Sequence, residues 1–192
     1  MNSRNLMVQK AIEEAHESFR EALKVKAGTF ASGKVEEAEH LINEAKRLLE
    51  IDRSAALNFA EQAKKMASES ITDAIEHRNR LKRKYGAAMA SCFDEVSRLK
   101  HTILDIEREL TQSNVLELNH QMAVAETEIR KMRQALNLED FQLVGSTFDN
   151  VQHYLHDIHT TLDPMVKQLE YQMPVRTLSR GRQRKSQKRG IN

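Results

Sequence analysis

Apolar residues recur at steps of three and four along most of this chain, the spacing that holds side chains on one face of an α-helix. Val8, Ile12, Ala15, Phe19 and Leu23 mark the first such face and predict a helix over residues 3–26, with Gly28 and Gly33 bracketing a break. Val35, Ala38, Ile42, Ala45 and Leu49 predict a second helix. A third, capped by Asp52 or Ser54, carries Ala56, Ala60, Ala63, Ala67, Ile71 and Ala74. Alanine at these positions lets helices approach closely. The face is expected either to pack on the first two helices or to serve self-association.

From Tyr85 onward the pattern sharpens. Tyr85, Met89, Cys92, Val96, Leu99, Ile103, Ile106 and Leu110 alternate steps of four and three, a coiled-coil seam. After a polar joint at residues 111–114 the seam resumes at Val115, Leu118, Met122, Ala125, Ile129, Met132 and Leu136. A second joint at 137–140 leads to Phe141, Val144, Phe148, Val151, Leu155, Ile158, Leu162, Met165 and Leu169. Short joints force antiparallel neighbours, so these three helices are expected as an up-down-up bundle. Arg83 and Lys84 followed by Gly86 resemble a helix stop, yet the step from Tyr85 to Met89 is in phase. An interior glycine costs only about 1 kcal/mol relative to alanine, so one helix is expected over residues 54–112. Pro164 is expected to kink the last helix or to open a short new one capped by Asp163, and Pro174 to end regular structure.

The fold class that follows is all-α: an antiparallel helical bundle with coiled-coil seams and a disordered basic C-terminal tail. Residues 1–84 form an N-terminal helical region, 85–173 a three-helix bundle and 174–192 the tail. Composition supports this. Of 192 residues 40% are hydrophobic and 30% charged, against 6 glycines, 2 prolines, 5% aromatics and no tryptophan. That balance favours helices over strands. The single cysteine, Cys92, excludes an intramolecular disulfide and a cysteine-based zinc site. No run of about 18 apolar residues suits a transmembrane segment and no signal-like apolar core opens the chain, so a cytoplasmic location is expected.

Candidate chemistry is sparse. A di-metal site in a helical bundle would use Glu-x-x-His pairs facing inward, and three such pairs occur: Glu13 with His16, Glu37 with His40, and Glu117 with His120. At about 100° of rotation per residue, His120 lies about 160° from the seam of Leu118, Met122 and Ala125, and Glu117 about 100° away. The pair at Glu37 and His40 also points outward, and of the remaining pair only His16 flanks a seam. A metal-dependent bundle enzyme is thereby disfavoured, and no cofactor is expected. His153, His156 and His159, near Asp149 and Asp163, form a surface strip open to a pH-sensitive contact. Cys92 falls in the seam, where a thiol acts as a small inert hydrophobe. No phosphate-cradling glycine loop, His-Glu-x-x-His or Gly-x-Ser-x-Gly motif suggests an active site.

Charge changes the picture more. Residues 176–192 hold seven cations, Arg176, Arg180, Arg182, Arg184, Lys185, Lys188 and Arg189, and no acid, leaving 23 basic against 28 acidic residues elsewhere, a balance of minus 5. Such a stretch gathers counterions that a polyanion displaces, an entropic gain that favours nucleic acid or an anionic membrane surface without reading sequence. Arg78, Arg80, Lys82, Arg83 and Lys84 form a second basic stretch around Leu81, and cations on nearly every face cannot all pack inside. The expected function is therefore a non-enzymatic scaffold or adaptor. Its helical seams would take a protein partner or a second copy, and its tail would tether it to a polyanion. The alternative is a sequence-nonspecific nucleic-acid binder using both basic stretches.

Overall fold

The computed structural model describes the backbone of residues 3–187 and the side chains of residues 6–169 and 171. Among the described residues every regular element is a helix, so the class is all-α. In order they are α1 (Ser3–Lys24), α2 (Ala27–Phe30), α3 (Ser32–Leu48), α4 (Arg53–Ile106), a 3-10 turn at Glu107–Glu109, α5 (Gln112–Asn137) and α6 (Phe141–Gln187). The chain divides into two compact units, Met1–Arg83 and Lys84–Asn192.

In the first unit the alanine face is occupied. Val8 and Ile12 of α1 pack with Ala45 of α3 and with Ala56 and Ala60 of α4; Ala15 packs with Leu41, Ile42 and Ala63; Ala22 packs with Val35 and Ala74. These registers make α1 antiparallel to α3 and parallel to α4. Of the two uses expected for the alanine face, packing on the first two helices is the one observed. Ile71 is half-buried against the cluster of Ala22, Val35 and Ala74, and beside it Ser70 is fully buried, its hydroxyl donating to the Ala67 carbonyl at 2.7 Å. Leu23 is 49% exposed and Ala22 is buried in its place, because the buried spacing continues four-three-four-three to Ala22 and not by a further step of four to Leu23.

The helix ends are set by residues that the glycine signals did not mark. Gly28 and Gly33 lie inside α2 and α3, and it is Lys26, at φ 62°, that turns the chain, its N–H donating to the Leu23 carbonyl at 3.0 Å. Asp52 caps α4 as expected: its Oδ1 accepts from the N–H groups of Ser54 and Ala55, both at 3.0 Å. The helix then passes through Gly86 without a break.

The second unit places α5 antiparallel to α4 and α6. Cys92, Val96, Leu99 and Ile103 of α4, Leu118, Met122, Ala125 and Ile129 of α5, and Val151, Leu155, Ile158 and Leu162 of α6 form one buried cluster. A smaller cluster of Met132, Ala135 and Val144 lies beside Tyr85, Met89 and Phe148. Tyr85 stacks on Phe141 with ring centroids 6.3 Å apart, and a Cβ on Gly145 would stand 3.2 Å from the Tyr85 hydroxyl oxygen. A side chain at 145 would require the Tyr85 hydroxyl to give way by a few tenths of an ångström. The first joint is tighter than expected, with α4 giving way to 3-10 geometry before Leu110, and Thr111 Oγ1 accepting from the Asn114 N–H at 3.3 Å. At the second joint Glu139 takes φ 58°. Asp140 N–H donates to the Ala135 carbonyl at 3.0 Å and Glu139 N–H to that of Leu136 at 3.2 Å, a Schellman closure built without glycine.

The C-terminal boundary differs from expectation. Pro164 neither ends α6 nor starts a new element, and helical backbone continues past Pro174 to Gln187, where a disordered tail was expected from residue 174. Arg, Lys, Gln and Leu beyond Pro174 favour helix, while the proline itself, Gly181 and the Ser and Thr residues oppose it.

Candidate functional site

One place in the second unit and one in the first gather polar chemistry. Of these, a groove between α4 and α6 of about 330 Å³ has the densest set of interactions: it is lined by Ser91, Cys92, Glu95, Gln152, Leu155, His156 and His159. The helices run parallel here, so residues about 60 apart in sequence share a level. Gln152 Nε2 donates to the Cys92 sulfur at 3.3 Å, and His159 Nε2 lies 2.7 Å from Glu95 Oε1. The other ring nitrogen of His159, Nδ1, lies 3.4 Å from Asp163 Oδ1, and Arg98 Nη2 is 2.5 Å from Glu95 Oε2.

The electrostatics of the groove follow from these contacts. Burial pushes the Cys92 thiol above its ordinary value; the Gln152 hydrogen bond opposes this and the Glu95 charge adds to it. A thiol held protonated is a poor nucleophile. For His159 partial burial pulls downward, but the hydrogen bonds and charges of Glu95 and Asp163 outweigh it and leave the ring above the ordinary histidine value. The histidine strip is thus only partly a solvated face: His153 and His156 are exposed, while His159 turns into the groove. His153 Nε2 approaches Asp157 Oδ2 at 3.5 Å on its own helix. Sequence reasoning missed Glu95, because pairing positions 95 and 159 requires the relative register of α4 and α6.

The three Glu-x-x-His pairs are not brought together at an inward site. Glu13, Glu37, His40, Glu117 and His120 are exposed, and His16 alone is half-buried. Burial first, then the charges of Lys46 and Arg20, push His16 below the ordinary histidine value.

In the first unit a hollow of about 550 Å³ lies where α3 begins beside α4, lined by residues that include Ser32, Gly33, Lys34, Asp73, Glu76, His77 and Arg80. Gly28, Gly33 and Lys34 have the spacing of a phosphate loop, but three features argue otherwise. Gly28 sits inside α2, buried Val35 stands where such a loop needs Ser or Thr, and the Lys34 ammonium bridges Glu69 at 3.1 Å and Asp73 at 2.9 Å. His77 Nδ1 meets the Phe30 carbonyl at 3.2 Å, tying α4 to the end of α2.

The basic stretch of α4 lies largely at the surface. Arg80, Lys82, Arg83 and Lys84 are exposed, and Arg78 and Leu81 are half-buried. Arg80 lies on one helical row with Arg83 and Lys84, and Arg78 on another with Lys82, by their three- and four-residue spacings. Lys84 Nζ stands 5.4 Å from the Tyr85 ring centroid. Arg176, Arg180, Arg182, Arg184 and Lys185 fall on the backbone of α6, but their side chains lie outside the described residues, as do Lys188 and Arg189 entirely. Among the described residues no helix is long and apolar enough to cross a membrane. Compared with protein-family models, curated proteins and solved structures, the chain matches none of them.

Proposed function

We propose that this protein is a non-enzymatic helical scaffold or adaptor that is tethered to a phosphate-bearing polyanion by its basic segments. The observation that carries the proposal is the cationic belt of α4, in which Arg80, Lys82, Arg83 and Lys84 are exposed within five consecutive positions. Like charges three or four residues apart destabilise a helix by about 0.2–0.5 kcal/mol per pair, a cost that a bound polyanion relieves. The tail adds seven cations without an acid, and no aromatic residue interrupts it, so binding relies on counterion release without base stacking. Burial holds the Cys92 thiol protonated and hydrogen-bonded to Gln152, a poor nucleophile, which fits a non-enzymatic role. Protein partners, or a second copy, would meet the exposed helical faces.

The test is fluorescence anisotropy with a labelled mixed-sequence DNA duplex and, in a second arm, sedimentation with anionic vesicles. It uses the full chain, a chain ending at residue 175, and the triple variant R80E/R83E/K84E. Truncation is expected to remove most low-salt binding and the triple variant to weaken what remains. Binding by both variants equal to that of the full chain overturns the tether. Circular dichroism on each variant separates lost binding from lost fold.

A further inference from the structure

The environment of His159 is independent of the polyanion tether. Its ring is placed between two carboxylates: Nε2 is 2.7 Å from Glu95 Oε1 on α4 and Nδ1 is 3.4 Å from Asp163 Oδ1 on α6. A neutral imidazole has one N–H to donate and a lone pair on the other nitrogen. Only the imidazolium donates from both. The geometry is therefore complete in one protonation state. When the proton leaves, one carboxylate faces a nitrogen lone pair and the α4–α6 bridge loses its charge assistance. Directly beside this bridge lies the groove whose floor includes the buried Cys92 sulfur.

We propose that His159 is an acid-closed latch between α4 and α6, one that restricts access to the groove over Cys92 while the ring is protonated and relaxes when it is not. On α4 the groups concerned are Glu95, its partner Arg98, and Cys92; on α6 they are Asp163 and His156. On α5, Glu126 is engaged with Lys100 and Arg130, and Glu128 with Lys131. Of the charged groups, Glu95 and Asp163 are the ones that act on the ring. Both favour the proton. The sign follows: the folded-state pKa is raised, so the latch is fully closed below about pH 6.5, the ordinary histidine value, and is lost as pH rises through the higher folded value.

The experiment measures the rate at which iodoacetamide labels Cys92 in the full-length protein and in H159Q across pH 5.5–9. The ratio of variant to wild-type rate at each pH removes the part of the thiol titration that the two proteins share. A ratio of about two to five is expected at the acid end, as a half-exposed ion pair supports, falling to one as the wild-type latch opens. Loss of the imidazolium charge alone would reduce thiolate content and slow labelling of the variant, the opposite sign. A ratio that is flat with pH, or below one at the acid end, overturns the proposal. Because H159Q could perturb packing, the His159 titration is also followed by NMR in wild type and E95Q. Wild type is expected above the ordinary histidine value and E95Q lower than wild type; a wild-type ring titrating at or below the ordinary value overturns the latch without reference to any variant's stability.

Discussion

The two units share an up-down-up plan of three principal helices but fill it differently. In Met1–Arg83 the contact surfaces are dominated by Ala15, Ala22, Ala38, Ala45, Ala56, Ala60, Ala63, Ala67 and Ala74, all essentially without exposure. In Lys84–Asn192 the equivalent positions hold Val96, Leu99, Ile103, Leu118, Met122, Ile129, Leu155, Ile158 and Leu162. An alanine seam works by bringing backbones together and has little room for a larger side chain, whereas a leucine and isoleucine core works by buried area and suffers when volume is removed. The same architecture is therefore vulnerable to opposite substitutions in its two units.

The largest expected effect is in the second unit. Leu155→Ala or Ile158→Ala should cost about 2–5 kcal/mol in urea denaturation, since both side chains lie in the main cluster. A loss under half a kcal/mol at both would break the comparison. Overpacking the first unit with Ala63→Leu should cost about 1–3 kcal/mol, while a neutral result would show that the alanine seam is loosely packed. Removing the α4 cap with Asp52→Ala should cost about 0.5–2 kcal/mol through the two hydrogen bonds from Ser54 and Ala55, read as a lower thermal midpoint. The smallest effect has the opposite sign. Gly86 is inside α4, has no positive φ, and a Cβ there meets nothing within 4 Å, so Gly86→Ala should stabilise by about 0.5–1 kcal/mol. Destabilisation at 86 would mean that glycine has a purpose the continuous helix does not reveal.

The periodic apolar residues made the helices and most of the core legible, because amphipathic spacing and burial report the same face. The slips have physical causes. Alanine is tolerated on any helix face, so the pattern could not choose between Ala22 and Leu23 or between Ala135 and Leu136. The second joint falls where the sequence places it, at 137–140, although Glu139 makes the turn without glycine; the first helix ends at Lys24, two residues short of the expected Lys26, because Lys26 takes the left-handed conformation that sequence rules assign to glycine. Pro174 carries the sequence signature of a stop, yet helical backbone continues past it to Gln187. The outward phase of His120 and Glu117 and the burial of Cys92 were readable from one helix at a time. The contact between Glu95 and His159, separated by 64 positions, was not, since it depends on how two distant helices align.

The most direct test of the scaffold-and-tether account is the salt dependence of duplex DNA binding by the full-length protein, compared with R80E/R83E/K84E and the chain ending at residue 175. Counterion release predicts a steep linear fall of log affinity with log salt, flattened by about 0.9 for each phosphate contact that a variant removes. An affinity that is negligible even at low salt, or a slope that is the same in all three proteins, would contradict it.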